Sequence, residues 1–170
     1  AGGLAVNRYL FQSINYDPVA DFAAVTLICL FPNLLVVPNS SPLRSVGDLL
    51  AEARKNPGKV TFASPGHGSS PHMSGELLKY MAKVDLTHVP YRGASPAYTD
   101  VIAGRVDCTF AVMASGLPLV QSGQLRALGV EQVFDSSDPL WAEEAMTATD
   151  GRGVDVVLNS LPGQAVPLGL

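Results

Sequence analysis

Residues 64–72 bring together backbone and side chains that could hold a negatively charged ligand. The segment reads Ser-Pro-Gly-His-Gly-Ser-Ser-Pro-His and lies between a predicted strand and a predicted helix, where open α/β sheets usually bind their ligands. Glycine lets the backbone approach a ligand closely, while hydroxyls and the amides of a helix N-terminus donate hydrogen bonds to an anion. Because the segment contains no Lys or Arg, a carboxylate suits it better than a polyphosphate.

The segment predicts six residues in contact with such a ligand. It is not a Walker A loop, because no Lys follows the glycines, and it lacks the G-x-G-x-x-G pattern of dinucleotide sites. A solvated glycine-serine turn that only caps the following helix is an equally consistent interpretation. The six residues are Ser64, Gly66, His67, Gly68, Ser69 and Ser70.

A second predicted strand-to-helix loop, residues 91–96, lies at the same edge of the sheet. We expect Tyr91 and Arg92 to line the cleft there, since a guanidinium attracts acidic ligands, although an arginine in a loop is more often only solvated. Residues 113–116 follow a third strand on that side. Three such loops form the lip of a binding cleft.

The sequence predicts no metal site, cofactor or catalytic residue. His67, His72 and His88 lie on different predicted elements without close Cys or carboxylate partners, which disfavours zinc. His67 is expected to contact ligand and His88 to be structural. Ser69 and Ser70 lie near histidines, but a G-x-S-x-G elbow and an orienting acid are missing, so we expect a protein that is not an enzyme.

Composition limits the class of protein. With 170 residues, 47% hydrophobic and 15% charged, and a mean hydropathy of +0.23, the chain suits one folded domain rather than a disordered one. Pro32 and Asn33 interrupt its longest apolar run, so no membrane insertion is expected. A net charge of −4 argues against nucleic-acid binding. Residues 1–130 carry 10 basic and 8 acidic residues, whereas residues 131–170 carry 1 basic and 7 acidic residues. This change in charge near residue 130 indicates that the two segments have different origins.

Strand and helix patterns alternate along the chain, which predicts a three-layer α/β fold: a largely parallel sheet with helices on both faces. Ser45 is the expected N-cap of the first helix, with Asp48 at N3, and Pro71 is the expected start of the second, with Met73, Leu77, Leu78 and Met81 facing inward. Cys29 and Cys108 are typical of buried free thiols. The predicted strands are 25–30, 34–37, 60–63, 86–89, 107–112, 125–130 and 154–158, and the predicted helices are 46–56, 71–81, 95–103, 117–122 and 139–148.

Several ordered motifs between residues 4 and 130 resemble the Bug-type periplasmic solute-binding receptors of tripartite tricarboxylate transporters. The resemblance implies one lobe of a type II periplasmic binding protein, whose two lobes close on a small carboxylate and deliver it to membrane subunits without chemistry. It further implies that residues 1–21 are a remnant of the first lobe and residues 22–130 the second lobe, to which the loop 64–72 belongs. The motifs are Asn-Tyr-Asp-Pro-Val-Ala-Asp-Phe (15–22), Asn-Pro-Gly-Lys-Val (56–60), residues 64–72, His-Val-Pro-Tyr-Arg-Gly (88–93) and Leu-Arg-Ala-Leu (125–128).

After Val130 the sequence resembles a different family. Residues 151–161, Gly-Arg-Gly-Val-Asp-Val-Val-Leu-Asn-Ser-Leu, are similar to the nucleotide-binding domain of medium-chain reductases, especially polyketide-synthase enoyl reductases. This predicts a chimera, engineered or selected, in which a Rossmann-like helix-strand unit (131–170) packs on the receptor lobe. Trp141 lies in that helix. The segment lacks a glycine-rich pyrophosphate loop, so no NADPH catalysis is expected.

Three functions therefore remain open at this point. The first is a non-catalytic binding module for a small carboxylate, with affinity weak or absent because most of one lobe is missing. The second is a chimeric fold without biochemical activity, and the third is an NADPH-binding reductase remnant. A homodimer through the exposed lobe interface, or through exchange of residues 1–21, is a further expectation. The resemblance implies a periplasmic parent, and the lack of a signal peptide implies cytoplasmic expression of a recombinant chain.

Overall fold

The computed structural model describes residues 2–23, 25–26 and 31–129, with side chains from residue 6 onward. These residues belong to a first compact unit, Ala1–Gly129. Its helices are α1 (Gly2–Leu10), α2 (Val46–Lys55), α3 (Ser70–Ala82), α4 (Ala94–Ile102) and α5 (Met113–Gln121). Its strands are β1 (Asn33–Pro38), β2 (Thr61–Ser64), β3 (Thr87–Pro90), β4 (Cys108–Val112) and β5 (Leu125–Ala127).

The five strands form one sheet in the order β3-β2-β4-β1-β5. Strand β2 pairs in parallel with β3 and β4, whereas β1 pairs antiparallel with both β4 and β5. Four of the described strands thus run the same way and β1 runs against them. The predicted α/β fold with a largely parallel sheet is confirmed, with one antiparallel strand inside it.

Helices cover both faces of this sheet, as the strand-helix alternation predicts. On one face, Phe62 and Cys108 pack with Leu49 and Ala53 of α2 and with Leu78 of α3. On the other face, strand side chains pack with α4 and α5. That second cluster includes Val36, Ala63, Ala111, Ala97, Tyr98, Val101 and Met113, with Leu117 and Val120 against it.

Helix α2 begins as its sequence predicts. The Ser45 hydroxyl accepts a hydrogen bond from the Asp48 backbone N–H at 3.1 Å, and the Asp48 carboxylate accepts one from the Ser45 backbone N–H at 2.9 Å. This capping box satisfies amides that have no partner inside the helix. The helix ends at Lys55, just before Asn56 and Pro57.

The predicted inward-facing side of α3 is confirmed only for Leu78, which packs against the core. Met73, Leu77 and Met81 are 38%, 56% and 72% exposed, so their predicted inward orientation is wrong. The buried residues of the helix are Pro71, His72 and Gly75. Because Gly75 has no side chain, the helix lies directly on the Phe62 ring, and this close approach turns the larger apolar side chains away.

Other element boundaries differ modestly from the prediction. Helix α5 begins at Met113, directly after β4, four positions before the expected start. Residues 25–26 of the predicted first strand have no regular structure, and residues 27–30 lie outside the described residues. The predicted helix 139–148 and strand 154–158 also lie outside them, as does Cys29.

Cys108 is a buried free thiol, as predicted. Burial raises the pKa of Cys108 to about 12, so the thiol stays protonated and unreactive near neutral pH. Within the described ranges, none of the helices is both long and apolar enough to cross a bilayer.

Candidate functional site

Three strand-to-helix connections meet at one edge of the sheet. They follow β2, β3 and β4, which are neighbours with a common direction, so their carboxyl ends lie side by side. Strand β1 is antiparallel to β4, with Asn33 opposite Val112, and its first residue therefore lies at the same edge. The predicted convergence of the three loops is what this sheet order produces.

The β2–α3 loop, residues 65–69, is held in shape by its own hydrogen bonds. The Ser69 hydroxyl accepts from the His72 backbone N–H at 3.4 Å, as the N-cap of α3, and donates to the Gly66 carbonyl at 2.7 Å. The Ser64 hydroxyl accepts from the Gly66 N–H at 3.1 Å. Gly68 has a φ of +74° and its amide donates to His72 Nδ1 at 3.2 Å. Ser64, Gly66, Gly68 and Ser69 thus build the loop.

Two of the expected ligand-binding residues are exposed, His67 in this loop and Ser70 at the first position of α3. The Ser70 hydroxyl accepts a hydrogen bond from Asn33 Nδ2 at 2.5 Å. Both side chains lie beside the N-terminus of α3, where the helix dipole favours negative charge. The exposed polar surface at this loop is therefore formed by His67, Ser70 and the start of α3.

The β3–α4 loop, residues 91–93, joins the first loop through backbone contacts. The Tyr91 N–H donates to the Ser64 carbonyl at 2.9 Å, while the Tyr91 hydroxyl donates to Asp100 Oδ2 at 2.7 Å. Burial and that hydrogen bond to Asp100 raise the pKa of the Tyr91 phenol, and the hydroxyl of Tyr91 is the main cause of the lowered pKa of Asp100. Arg92 is exposed, which suits attraction of an anion from solvent.

The third connection contributes a helix start rather than an open loop. Residues 113–116 form the first turn of α5. Ser115 Oγ and the Tyr98 hydroxyl are joined by a 2.8 Å hydrogen bond, so this serine ties α5 to α4. Gly116 is buried against Ala111.

Asn33 is a functional candidate that sequence reasoning missed. Its Nδ2 donates to the hydroxyls of Ser70 and Ser74 at 2.5 and 2.9 Å, while its Oδ1 is buried and has no hydrogen-bond partner among the described residues. A buried acceptor left without a partner costs free energy. No local pattern marks the residue, because its position depends on β1 running antiparallel to β4.

The three histidines form a second feature that sequence reasoning missed. His67, His72 and His88 come from the loop, from α3 and from β3, yet one ring nitrogen from each lies within 4.8 Å of the others. Their ring centroids are 4.2 to 5.3 Å apart. No metal site is expected from the sequence because these residues lie on different elements without close Cys or carboxylate partners, and the fold brings the three elements together.

Two of these imidazoles are held neutral. Burial is the main cause of the lowered pKa of His88, about 4, and the neighbouring His72 and His67 lower it further. Burial also lowers the pKa of His72, against the opposing effect of Glu76, whose Oε1 lies 4.0 Å from His72 Nε2. At neutral pH both rings therefore carry a nitrogen lone pair.

A serine and a histidine lie within hydrogen-bonding distance, because Ser64 Oγ is 2.7 Å from His88 Nε2. The distance fits a nucleophile and its base. Ser64 is completely buried, however, so a substrate cannot reach its hydroxyl. The pair is best explained as a structural link between β2 and β3.

The sequence of this chain is similar to those of known solute receptors and their relatives. The sequence model for the tripartite tricarboxylate transporter family receptor, TctC, matches residues 1–138. The UPF0065 protein of the tcbD-tcbE intergenic region of Pseudomonas sp. (strain P51) is 44% identical over 128 residues, which is 75% of this chain and 38% of that protein. The chain therefore spans little more than a third of this relative.

Two solved structures from Rhodopseudomonas palustris share the fold of the described residues. An R. palustris protein with adipate is 38% identical, with a TM-score of 0.70 over 78% of this chain and 44% of that one. MatC from Rhodopseudomonas palustris with bound malate is 27% identical, with a TM-score of 0.67 over 80% and 46%.

One further similarity is short. A phenolphthiocerol/phthiocerol polyketide synthase of Mycobacterium tuberculosis is 54% identical over 46 residues, 27% of this chain and 2% of that protein. The receptor model by contrast matches residues 1–138, a few positions past the boundary expected at Val130. Since this match covers most of the 170 residues, the chain belongs to the tripartite tricarboxylate transporter receptor family of solute-binding proteins.

Proposed function

We propose that this chain supplies one lobe of a receptor for small carboxylates. The observation that carries the proposal is the meeting of the β2–α3 loop, the β3–α4 loop and Asn33 at one edge of the sheet. An N-terminus of a 13-residue helix opens into that edge, and such a terminus attracts anions. The relatives solved with adipate and malate support the ligand class.

Asn33 positions the start of α3, where the proposed site lies. Its Nδ2 donates to the hydroxyls of Ser70 and Ser74 at 2.5 and 2.9 Å, whereas its Oδ1 is buried, so a ligand does not contact that atom. Arg92, exposed in the neighbouring loop, adds a positive charge that draws the ligand in.

The proposed receptor works without chemistry. Its buried Ser64 cannot act as a nucleophile, and the hydroxyl of Tyr91 already donates to Asp100. A two-lobed receptor encloses its ligand, which strengthens each polar contact by excluding water. One lobe leaves the carboxylate solvated, so we expect weak affinity here and tight binding, in the periplasm, for a whole receptor.

Calorimetric titration of the chain with adipate, malate, succinate, citrate and glutamate tests this proposal. We expect weak, saturable heats for at least one dicarboxylate, and clearly weaker binding for Arg92→Ala. Ser122→Ala is the matched control, because Ser122 is exposed and its hydroxyl bonds, within the described part of the chain, to the Leu119 carbonyl and to the Gln124 side chain. Heats equal to those of dilution at millimolar ligand would overturn the binding function.

A second candidate is a chimeric fold without biochemical activity. The 46-residue similarity to a polyketide synthase supports it, as does the end of the first compact unit at Gly129. In this proposal residues 1–21 derive from the first receptor lobe, residues 22–130 are the second lobe, and residues 131–170 are a reductase-like segment on the same domain. An NADPH-binding remnant is the less supported variant.

Unfolding followed by two probes tests the chimeric arrangement. Trp141, the single tryptophan, reports on residues 131–170, while far-ultraviolet circular dichroism is dominated by the helices of the receptor lobe. A fused domain gives coincident transitions, whereas separate transitions contradict fusion. Saturation-transfer spectroscopy with NADPH decides the remnant variant, which requires a specific signal from the nucleotide.

A further inference from the structure

The three-histidine cluster, His67, His72 and His88, has the composition of a transition-metal site. These are the three histidines of the whole chain, and the fold brings all of them to one place from three different elements. One ring nitrogen from each lies within 4.8 Å of the other two. Imidazole nitrogen is a preferred ligand of zinc, copper and nickel, whereas calcium and magnesium prefer oxygen.

The spacing of the rings is close to what an ion requires. Tetrahedral coordination at about 2.0–2.1 Å places ligand nitrogens about 3.3 Å apart. The His67 ring centroid lies 5.3 Å from that of His72 and 5.1 Å from that of His88, and the His72 and His88 centroids are 4.2 Å apart. Imidazoles bound to one ion in this way have centroids about 5 Å apart. The two pairs that include His67 therefore already fit, and the remaining adjustment is a wider separation of the His72 and His88 rings.

The surroundings of the other two rings suit ligands of a metal. The Ser64 hydroxyl bonds His88 Nε2 at 2.7 Å and so fixes the orientation of that ring, a role that outer-shell partners play in metal sites. Glu76 Oε1 lies 4.0 Å from His72 Nε2 and offers a carboxylate at the rim of the cluster. Because His67 is exposed, a further coordination position faces solvent.

Binding would change one contact of the loop. His72 Nδ1 now accepts the Gly68 N–H. An ion on Nδ1 displaces that N–H, and an ion on Nε2 requires the imidazole proton on Nδ1, which then cannot accept it. The hydrogen bond from the Gly68 amide is broken in either case. At 3.2 Å this hydrogen bond is long and therefore weak.

We propose that His67, His72 and His88 together bind one divalent transition-metal ion of the zinc, copper and nickel class. The inference is independent of carboxylate binding, because it concerns the metal alone. Bound metal occupies the edge of the sheet where the β2–α3 loop begins α3, and the loop conformation is coupled to it through Gly68.

Titration of the full, chelator-treated chain with zinc chloride in a carboxylate-free buffer tests the proposal. We expect one saturable site, and cobalt(II) is expected to give the visible absorption bands of tetrahedral nitrogen coordination. His67→Ala should weaken zinc binding at least tenfold while leaving the far-ultraviolet dichroism unchanged, since the side chain is exposed. Tyr80→Ala, which alters another exposed aromatic side chain, on α3, should bind zinc like the parent chain.

Three results would overturn the proposed metal site. No saturable zinc heat at millimolar concentration overturns the site, and so does zinc binding unaffected by His67→Ala. Magnesium binding as strong as zinc binding also overturns it, because oxygen ligands would then be responsible. Carboxylate titrations of the metal-free chain, with a chelator that has no carboxylate groups, test the proposed function separately, so the two can fail independently.

Discussion

The imidazole of His88 lies with its Nε2 atom 2.7 Å from the Ser64 hydroxyl, across two neighbouring parallel strands. The same imidazole stacks on the Phe62 ring with centroids 4.9 Å apart, and Phe62 is opposite His88 in the strand register. Gly75 of α3 also lies closely against that ring. The candidate site therefore rests on a small packed unit, and its parts can be tested one at a time.

Replacing Ser64 by alanine is expected to destabilise the fold by about 1–3 kcal/mol. The substitution leaves His88 and the Gly66 amide without the hydroxyl to which both now bond, in a place that solvent does not reach. Chemical denaturation with urea measures the loss. Ser122→Ala, an exposed position, should change stability by less than about 0.5 kcal/mol. Equal effects at the two positions would contradict the role given to Ser64.

Replacing Gly75 by alanine is expected to destabilise the protein by about 1–3 kcal/mol through overpacking. A Cβ atom there meets three atoms of the Phe62 ring, and neither the ring nor the helix backbone can move without disturbing the core. Gly47→Ala is the matched control, because Gly47 is an exposed residue of α2 whose Cβ would lie 3.4 Å from Ser45 Oγ. It should be neutral or stabilising, since alanine favours helix.

The pH dependence of stability should carry a contribution from Asp48. Its carboxylate accepts backbone hydrogen bonds from Arg44 and Ser45, each 2.9 Å long, and the Arg44 bond is the largest cause of the lowered pKa of Asp48. A depressed native pKa means that the unfolded chain takes up the proton first as pH falls. The stabilisation is therefore complete above about pH 4, the ordinary aspartate pKa, and is lost below it.

Thermal unfolding of the parent chain and of Asp48→Asn between pH 6 and pH 3 measures this contribution. At pH 6 the unfolding temperature of the parent chain should be higher than that of Asp48→Asn. The two unfolding temperatures should converge as the pH approaches 3. A difference that stays constant over this range would show that the carboxylate charge contributes nothing.

Local signals predicted much of the fold. Ser45 and Asp48 predict the capping box because both partners lie within one turn, and continuous apolar runs such as residues 34–37 predict buried strands. The direction of β1 was not predictable, since a buried strand is equally apolar in either orientation. The inward face of α3 was misjudged because Gly75, rather than the methionines, makes the close contact.

The candidate site was predictable only in part. The loop 64–70 is marked by its glycines and serines, and the order of the parallel strands places residues 91–93 beside it. The three-histidine cluster depends on long-range pairing, with His88 opposite Phe62, and on the rotation of α3 that turns His72 inward. The spacing of residues 67, 72 and 88 in the sequence predicts neither the strand pairing nor the rotation of the helix.

Replacing Gly68 by alanine is expected to loosen α1. Gly68 has a φ of +74°, and a Cβ there would lie 2.8 Å from Leu10 Cδ1 of α1. Gly104→Ala is the matched control, because its φ is +71° and nothing lies within 4 Å of the added atom. In both variants the free energy of unfolding should fall by about 1–2 kcal/mol, because alanine must adopt a left-handed backbone conformation.

The two alanine variants should differ in where the structure opens. Leu10 is the last residue of the nine-residue helix α1. Its displacement by the added Cβ makes the last turn, including the hydrogen bond from Phe11 N–H to the Asn7 carbonyl, easier to break. Amide hydrogen exchange of residues 6–11 should therefore accelerate in Gly68→Ala and stay unchanged in Gly104→Ala. Equal exchange in both variants would mean that α1 does not depend on the β2–α3 loop, and that α1 contributes nothing to the shape of the candidate site.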